Sequence, residues 1–371
     1  MKKRYLALLM STLLTATMLV GCGSKTTEEA PSTQQETVAE VENTSTEDTA
    51  EATQSETEEQ GSESAVETTG ETVRVGSLKG ATSIGLLKLM DGAKNENTKN
   101  QYEFTMATAA DELLPKMVSG DLDIALVPAN VASVLYNKTK GGIEVIDINT
   151  LGVLYMVSGD TSMSTIGDLK GKTIYLTGKG TTPDYVLHYI LSENGLTETD
   201  VTLEYKSEAT EVAAVLAEDT NAVGLLPQPF VTAACTQNEA LQVIFDMTKE
   251  WKNIQGESGS ALVTGVTVVR KAFAEEAPEA VKAFMEEHKA SAAYVGEDVD
   301  QVAAWTEEQG IIAKEAIAKK AIPNCNITYI DGAQMQQALS GYLQVLFDQD
   351  PASVGGKMPA DDFYFDPSTT K

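Results

Sequence analysis

The feature that most constrains the fold is an internal repeat with a spacing of about one hundred residues. The run VRVGSLKGATSIGLLKLM, residues 73–90, matches KTIYLTGKGTTPDYVLHYIL, residues 172–191, and places KGAT at 79–82 over KGTT at 179–182. Further along the chain, Pro128 falls over Pro227. Each copy reads as a strand, a glycine-rich turn, a helix, a second strand, a helix, and a short apolar strand that leads into another turn and helix. Such a repeat predicts two structurally similar units.

The pattern of elements predicts the class of fold. Short β-rich apolar runs that alternate with helical patterns are typical of parallel βαβ units, so the two copies predict two α/β lobes of Rossmann-like arrangement. Segments 152–160 and 261–270 read as strand-rich crossings between the lobes. We therefore expect a folded domain at 73–371, in which lobe one comprises 73–155 and 262–371 and lobe two comprises 156–261.

The first 22 residues have the form of a secretory signal peptide. Lys2, Lys3 and Arg4 precede an apolar run that ends in LVGC at residues 19–22. The run is shorter than the ~20 apolar residues that a membrane-spanning helix needs. LVGC resembles the lipobox of bacterial lipoproteins, which implies that Cys22 is acylated and becomes the N-terminus after cleavage. The alternative is an ordinary signal peptide with an incidental cysteine.

Residues 23–72 form an acidic segment with fourteen carboxylates against one lysine and without an aromatic residue. Such a composition buries too little apolar surface to offset the entropy of ordering, so the segment predicts a disordered tether. The whole chain has a formal net charge of −28. This charge argues against nucleic acid as a partner, because that binding depends on lysine and arginine at phosphates.

Cysteines and histidines are few and scattered. After Cys22, only Cys235 and Cys325 remain, and the sequence leaves open whether they pair. The two histidines, His188 and His288, have no metal-ligand spacing, so we expect neither a metal nor a cofactor. No serine or cysteine is placed as a nucleophile with a base, and the sequence gives little support to an enzyme.

The turns at the carboxyl ends of the strands are the candidate binding site, because ligands of open α/β sheets bind there. In two facing lobes these ends converge on one cleft, formed by turns 77–83, 128–131, 178–183 and 227–230. The candidate ligand-binding residues are Ser77, Leu78, Lys79, Gly80, Ala81, Thr82, Pro128, Ala129, Asn130, Gly178, Gly180, Thr181, Thr182, Asp184, Gln228, Phe230 and Trp251.

Turn 178–183 has the clearest chemistry of the four. Thr182 suits an N-cap and Pro183 suits the first helical position, so a helix is predicted to begin here. Gly178 and Gly180 allow close approach of the backbone, and the free N–H groups of a first helical turn attract anions. The alternative is an ordinary βα turn. The carboxylate of Asp184 would repel a strongly charged anion nearby, so Asp184 either caps the helix or receives an amine of the ligand. Neither a P-loop nor a dinucleotide-binding glycine pattern is present.

Charged and aromatic side chains give weaker predictions about contacts with the ligand. No arginine lies in a candidate turn, so a bidentate clamp on an anion is not evident. Lys79 and Lys179 can each offer a point charge to a ligand, or remain solvated. Phe230 and Trp251 are candidates to contact a planar ligand. The polar neighbours of Trp251 predict a position near the surface, whereas the alternative for Phe230 is the core.

The combination of lipobox, acidic tether, duplicated lobes and DLKGKTIYLTGKGTTPDYVLHYIL, residues 168–191, resembles the solute-binding lipoproteins of bacterial ABC importers. SGDLDIALVPANVASVLYN, residues 119–137, and LLPQPFVTAA, residues 225–234, are similar to the branch that binds nitrate, sulfonates, taurine and thiamine-precursor pyrimidines. The resemblance covers 73–371 and implies a type II periplasmic-binding-protein-like fold.

The same resemblance implies the function and the partners. It implies a monomeric, lipid-anchored receptor outside the plasma membrane, which closes on a small anionic or polar solute and delivers it to a permease with its ATPase subunit. Related pyrimidine synthases have this fold and a cysteine cluster, which is absent here. The alternatives that remain are a surface enzyme acting on a pyrimidine or aromatic acid, and a sensor or adhesion lipoprotein.

Overall fold

The computed structural model describes residues 68–256 and 260–366. The predicted signal peptide at 1–22, the acylated Cys22, and all but the last five residues of the predicted tether lie outside the described residues. In the part of the chain that is described, no helix is both long and apolar enough to cross a membrane.

Lobe one is built on a six-stranded mixed sheet with the order β11-β4-β10-β3-β1-β2. Strand β1 runs parallel to β2 and β3, whereas β10 is antiparallel to both β3 and β4. β11 adds an antiparallel edge next to β4. The strands of this sheet are β1 (Thr72–Leu78), β2 (Gln101–Ala107), β3 (Ile124–Pro128), β4 (Ile143–Leu151), β10 (Val263–Arg270) and β11 (Ile327–Ile330).

Lobe two is built on a five-stranded mixed sheet with the order β7-β6-β8-β5-β9. Its strands are β5 (Leu154–Ser158), β6 (Thr173–Leu176), β7 (Thr202–Tyr205), β8 (Val223–Pro227) and β9 (Gln242–Asp246). β6 is parallel to β7 and β8, and β5 is antiparallel to β8 and β9. Without the edge strand β11, the two sheets therefore have the same order and the same strand directions, and the predicted two-lobe α/β fold is confirmed.

The sequence reading missed the antiparallel strand in each sheet. Both of these strands, β5 and β10, lie in the segments that were read as crossings between lobes. Each lies within a sheet, between two strands of the repeat. It is therefore part of that sheet as well as a connection between the lobes. Their apolar residues therefore fill the centre of a sheet.

Helices cover the faces of both sheets. They are α1 (Ala81–Ile84), α2 (Leu87–Lys94), α3 (Leu114–Ser119), α4 (Ala129–Thr139), α5 (Thr182–Glu193), α6 (Ala209–Glu218), α7 (Phe230–Gln237), α8 (Met247–Gln255), α9 (Lys271–Glu276), α10 (Pro278–Glu297), α11 (Val299–Glu308), α12 (Glu315–Ala321) and α13 (Gly332–Gln349). Single 3-10 turns occur at Ala110–Glu112, Ile166–Leu169, Ile322–Asn324, Pro351–Val354 and Asp361–Phe363. Because α1 and α5 follow equivalent strands of the repeat, their N-termini occupy equivalent places in the two lobes.

Candidate functional site

A cleft of about 900 Å³ is lined by residues of both sheets. All four predicted turns contribute to it, since they follow β1, β3, β6 and β8 at the carboxyl ends of those strands. Eleven of the predicted residues line the cleft: Leu78, Lys79, Gly80, Ala81, Thr82, Pro128, Gly178, Thr181, Thr182, Gln228 and Phe230.

The other predicted residues do not line the cleft, and several have structural partners instead. The Ser77 hydroxyl is buried and lies 2.7 Å from the Ser83 hydroxyl. Ala129 and Asn130 are fully buried in the first turn of α4. Gly180 lies beside the cleft and contributes its backbone to contacts within lobe two and with Asn130.

Trp251 lies in the core, so the prediction that it lies near the surface is wrong. Its ring is 1% exposed and packs between Tyr189 and Tyr342, with ring centroids 4.8 and 5.4 Å away. The indole N–H donates to the Ser260 carbonyl at 2.8 Å. The polar neighbours that misled the prediction lie on other faces of α8, because successive residues of a helix point about 100° apart.

The turn of lobe two is occupied by a carboxylate of the protein itself. Asp184 Oδ2 accepts the N–H of Gly180 at 2.7 Å, and Oδ1 accepts the Tyr205 hydroxyl at 2.6 Å. The Thr181 N–H and hydroxyl both donate to the Gly178 carbonyl, at 2.9 and 2.6 Å. Pro183 has no N–H to offer. Of the two roles left open for Asp184, the structure shows the local one, in which it caps the turn.

Hydrogen bonds keep the Asp184 carboxylate charged. Burial by itself raises its pKa, but hydrogen bonds from His188, Gly180 and Tyr205 outweigh burial, so the pKa lies below the ordinary value. His188 Nε2 lies 3.2 Å from Asp184 Oδ1, one helical turn away. This contact raises the pKa of His188, against the opposing effect of burial. The site where lobe two would receive an anion therefore already contains a negative charge.

The equivalent turn of lobe one contains no such group. Ile84 stands at the position that corresponds to Asp184, and it is fully buried among apolar residues. The side chains of Thr82 and Ser83 donate to the Leu78 carbonyl at 2.9 and 2.6 Å. The N–H groups of Ala81 and Thr82, at the start of α1, have no acceptor within the helix. Gly80, Ala81 and Thr82 line the cleft, so these donors lie beside it.

Polar groups of both lobes meet where Thr182 and Thr264 line the cleft. The Thr182 hydroxyl lies 3.4 Å from the Thr264 carbonyl and 3.5 Å from Asn130 Oδ1. Asn130 also donates from Nδ2 to the Gly180 carbonyl at 3.2 Å, which links α4 to the turn of lobe two. Thr264 Oγ1 is enclosed and has no hydrogen-bond partner among the described residues. An enclosed hydroxyl without a partner is unfavourable unless a ligand or water satisfies it.

Both arginines of the described chain serve the fold of lobe one. The Arg74 guanidinium donates to both oxygens of Asp123, and Arg270 Nη2 donates to Oδ1 at 2.8 Å. Asp123 is fully buried, and its pKa is lowered because these hydrogen bonds outweigh its burial. Neither arginine lines the cleft. An anion in the cleft must therefore rely on backbone N–H groups, hydroxyl groups and the exposed Lys79 and Lys179.

Residues outside the predicted turns also line the cleft, among them those in segments 108–111, 207–217 and 310–317. The last has no counterpart in the repeat, so the comparison of the two copies could not reveal it. The alanines of α6 at positions 209, 213 and 217 were a visible signal, because a four-residue spacing places them on one helical face.

The sequence matches a known protein family. Residues 95–307, more than half of the chain, match the family described as ABC transporter, phosphonate, periplasmic substrate-binding protein. No curated protein matches the sequence.

Solved structures share the fold at low sequence identity. An ABC transporter protein from Parabacteroides distasonis superposes with a TM-score of 0.65 and 23% identity, over 80% of this chain and 99% of that one. The alkanesulfonate-binding protein from Xanthomonas axonopodis pv. citri, bound to MOPS, has a TM-score of 0.61 and 17% identity, over 78% and 94%. The aliphatic sulphonate binding protein from Escherichia coli has a TM-score of 0.62 and 14% identity, over 78% and 92%.

Proposed function

This chain belongs to the phosphonate family of periplasmic substrate-binding proteins of ABC transporters, and from that membership we propose that it is a lipid-anchored receptor for a small anionic solute, held between its lobes and passed to a permease. As a family member it is the solute-binding component of an ABC import system outside the cytoplasm, and the family consists of binding proteins, not enzymes. The alternative of a surface enzyme is therefore set aside.

The observation that carries the proposal is the cleft itself. It is shared by two lobes of the same design, and its lining includes the unpartnered hydroxyl of Thr264 and the N–H groups of Ala81 and Thr82, which have no acceptor within α1. A site that offers hydrogen-bond donors without a guanidinium suits a small group with several acceptor oxygens, such as a phosphonate or sulfonate. Lys79, exposed at the edge of the same turn, adds a positive charge.

We assign the anion to lobe one. Gly80, Ala81, Thr82 and Lys79 would contact it, with Leu78 and Pro128 beside them. From lobe two, Thr181, Thr182, Gly178, Gln228 and Phe230 would complete the site, whereas Asp184 and Gly180 would fix the turn without touching the solute. The Asp184 carboxylate disfavours a second anion at the lobe-two turn, because like charges at short distance repel strongly in a partly buried site.

Closure of the lobes would couple binding to transport. Contacts that a solute makes with both lobes exist only when the lobes are together, so the solute shifts the equilibrium toward the closed form by their differential free energy. Asn130 and Phe230 would stabilise that form. Asn130 of lobe one donates from Nδ2 to the Gly180 carbonyl of lobe two, and Phe230 packs against apolar clusters of both lobes.

The anchor is the part of the proposal that rests on the sequence alone. The LVGC motif supports acylation of Cys22, and two acyl chains suffice for stable membrane attachment. The acidic segment up to residue 72 would then hold the receptor clear of the membrane surface. Membrane fractionation of cells that express Cys22→Ala tests this part, since the variant should leave the membrane fraction.

A thermal-shift screen tests the function. Methylphosphonate, a sulfonate series, nitrate, carboxylates and pyrimidines are compared with the mature receptor. At a ligand concentration of about 100 Kd, binding to the folded state adds about 2.7 kcal/mol, which raises the Tm by several degrees. We expect the phosphonates or sulfonates to give this rise.

Paired charge reversals locate the anion. Lys79→Glu should weaken binding of the hit about tenfold, a change of about 1.4 kcal/mol. Lys116→Glu makes the same charge change on α3, away from the cleft, and should leave the affinity unchanged. Failure of every anion in the screen, or equal effects of the two substitutions, would contradict the proposal.

A further inference from the structure

A chain of buried hydrogen bonds runs from the cleft into the interior of lobe one. It begins at Thr150, which lines the cleft near the carboxyl end of β4, and it ends at His288 on α10. We propose that this chain positions the lobe-one wall of the cleft, so that Asp147 and His288 are positioning residues although neither lines the cleft. The inference rests on the proposed function and names residues that set the affinity of the same site.

Each link of the chain is a direct contact between side chains. The Thr150 hydroxyl donates to Asn149 Oδ1 at 2.9 Å, and Asn149 Nδ2 donates to the Thr267 hydroxyl at 3.1 Å. The Thr267 hydroxyl donates in turn to Asp147 Oδ1 at 2.8 Å, and Asp147 Oδ2 lies 3.1 Å from His288 Nδ1. All five residues are buried, with at most 2% exposure. Thr150 and Asp147 are three positions apart on β4, so the chain reaches about 10 Å inward from the cleft.

The carboxylate of Asp147 fixes the direction of the hydrogen bonds in the chain. A carboxylate can only accept, so the single hydrogen of the Thr267 hydroxyl points to it. The Thr267 oxygen can then only accept, and Asn149 must present its NH₂ group there. This orientation turns Asn149 Oδ1 toward the Thr150 hydroxyl, which donates to it. The side chains at the cleft end therefore cannot reorient without the loss of a buried hydrogen bond, which is unfavourable.

The cleft end of the chain contacts the turn to which the proposed function assigns the anion. Gly265 of β10 pairs with Thr150 of β4. A Cβ at this glycine would lie 2.5 Å from Asn149 Oδ1 and 2.9 Å from Thr82 Cγ2, closer than such atoms can pack. The absence of a side chain at Gly265 thus lets Asn149 and Thr82 pack against the same point of β10. A displacement of Asn149 would therefore be transmitted to Thr82.

The backbone pairing of β4 with β10 is irregular at the same place. These strands connect lobe one to lobe two, and their register shifts three times between Val263 and Val268. Such irregularities disrupt the ladder of backbone hydrogen bonds locally. The side chains of Asp147, Asn149 and Thr267 add cross-strand hydrogen bonds there. They hold the wall of the cleft where the backbone ladder holds it least.

The inner end of the chain is fixed by packing around His288. Its ring contacts Phe284 and Tyr329, with centroids 5.3 and 5.6 Å away. Nε2 is buried without a hydrogen-bond partner among the described residues, and it lies beside Gly85 at the end of α1. Apolar side chains can fill such a site at least as stably as a buried carboxylate and imidazole. The geometry that the polar pair specifies therefore explains its presence better than stability does.

Substitutions of Thr267 test the central link. Thr267→Val keeps the shape of the side chain but removes the hydroxyl, so Asp147 loses a donor and Asn149 loses an acceptor. The dissociation constant of methylphosphonate is measured by calorimetry with the mature receptor. It should rise about tenfold in Thr267→Val, because the cleft is less preorganised, and stay within about twofold of the parent value in Thr267→Ser, which keeps the hydroxyl.

Tyr102→Phe is the matched control. It removes the hydrogen bond from the Tyr102 hydroxyl to Glu287, the residue before His288 on α10, and so breaks a contact between β2 and the same helix. Tyr102 does not line the cleft. We expect this variant to lose stability, as Thr267→Val does, but to keep the parent affinity. A purely structural role of the chain would lower the melting temperature of both variants and change the affinity of neither.

Substitutions of His288 test the inner end of the chain. His288→Leu removes the donor to Asp147, whereas His288→Asn keeps an N–H group close to the position of Nδ1. We expect His288→Leu to weaken methylphosphonate binding and His288→Asn to restore most of the loss. Equal affinities of these two variants would show that the donor at residue 288 does not position the cleft.

The outcomes separate the inference from the proposed function. If the parent protein and Thr267→Val bind methylphosphonate equally, or if Tyr102→Phe weakens binding as much, the positioning role is overturned and the receptor stands. If the parent protein does not bind methylphosphonate, the phosphonate receptor is contradicted. The amide NMR signals of Ala81 and Thr82 in the free protein then decide the positioning role. They should shift in Thr267→Val and not in Tyr102→Phe, and unchanged signals in both variants would overturn it.

Discussion

The turns that follow β1 and β6 have nearly the same sequence, KGAT and KGTT, yet they differ in what occupies them. In lobe two, Asp184 places a carboxylate on the N–H of Gly180, whereas in lobe one the equivalent residue is the buried Ile84. A glycine-rich turn at a helix start therefore does not by itself define an anion site. A residue four positions later decides whether the turn is open to a ligand or already occupied.

This asymmetry assigns different tasks to the two lobes. In the proposed function lobe one receives the anion, because the N–H groups of Ala81 and Thr82 have no acceptor within α1. Lobe two contributes a turn whose backbone N–H is already bound by the Asp184 carboxylate.

Replacing each of these two residues by its counterpart in the other lobe should give the largest loss of stability. Ile84→Asp removes a fully buried apolar side chain and places a carboxylate there without a positive partner, so the free energy of unfolding should fall by about 4 kcal/mol or more. Asp184→Ile leaves the Gly180 N–H and the Tyr205 hydroxyl without acceptors and should cost about 1–3 kcal/mol.

Guanidinium unfolding midpoints measure both effects. Asp184→Asn serves as the control, because it keeps a side-chain oxygen as an acceptor for one of the two donors and should lose less than Asp184→Ile. If Asp184→Ile were as stable as the parent protein, the Asp184 carboxylate would not be needed to hold the turn of lobe two.

A smaller effect should appear in the pH dependence of stability. The lowered pKa of Asp184 means that its contribution is present above its unfolded pKa and is lost as the pH falls through its folded pKa. The raised pKa of His188 means that its contribution is present below about pH 6.5 and is lost as the pH rises through the folded value. The pair therefore stabilises lobe two most in mildly acidic solution.

The variant His188→Gln isolates this contribution. Its stability should lie below that of the parent by less than about 1 kcal/mol near pH 5.5, since the His188 ring is 22% exposed and also lies 3.6 Å from the exposed Glu198. The difference should shrink at pH 8. A difference that grew with pH would show that protonated His188 does not stabilise the turn.

The repeat predicted much of the fold because the strands and helices that both lobes share have local sequence patterns that occur twice. It placed β1 and β6, their helices and the four turns, and eleven of the seventeen predicted ligand-binding residues line the cleft. It could not show that β5 and β10 enter the sheets, because strand pairing between distant segments leaves no local pattern. Helix α12 and strand β11 were also missed, since neither has a counterpart in the second copy.

The candidate site was harder to predict for a physical reason. Whether Asp184 faces the ligand or its own backbone depends on the left-handed turn at Gly178 and Gly180, both with φ near +73°, which brings the Gly180 N–H back to the carboxylate. Trp251 was predicted near the surface but is buried, because it packs against Tyr342 of α13, about ninety residues away in the sequence. Sequence neighbours carry no information on that contact.

We propose that the turn of lobe one binds the anion while the turn of lobe two stays filled by Asp184. Through-hydrogen-bond coupling between backbone ¹⁵N nuclei and the ³¹P nucleus of a bound phosphonate, measured by NMR, tests this assignment. The account predicts a coupling at Ala81 or Thr82 and none at Gly180, whose N–H remains on Asp184. A coupling at Gly180, with none at Ala81 or Thr82, would contradict it.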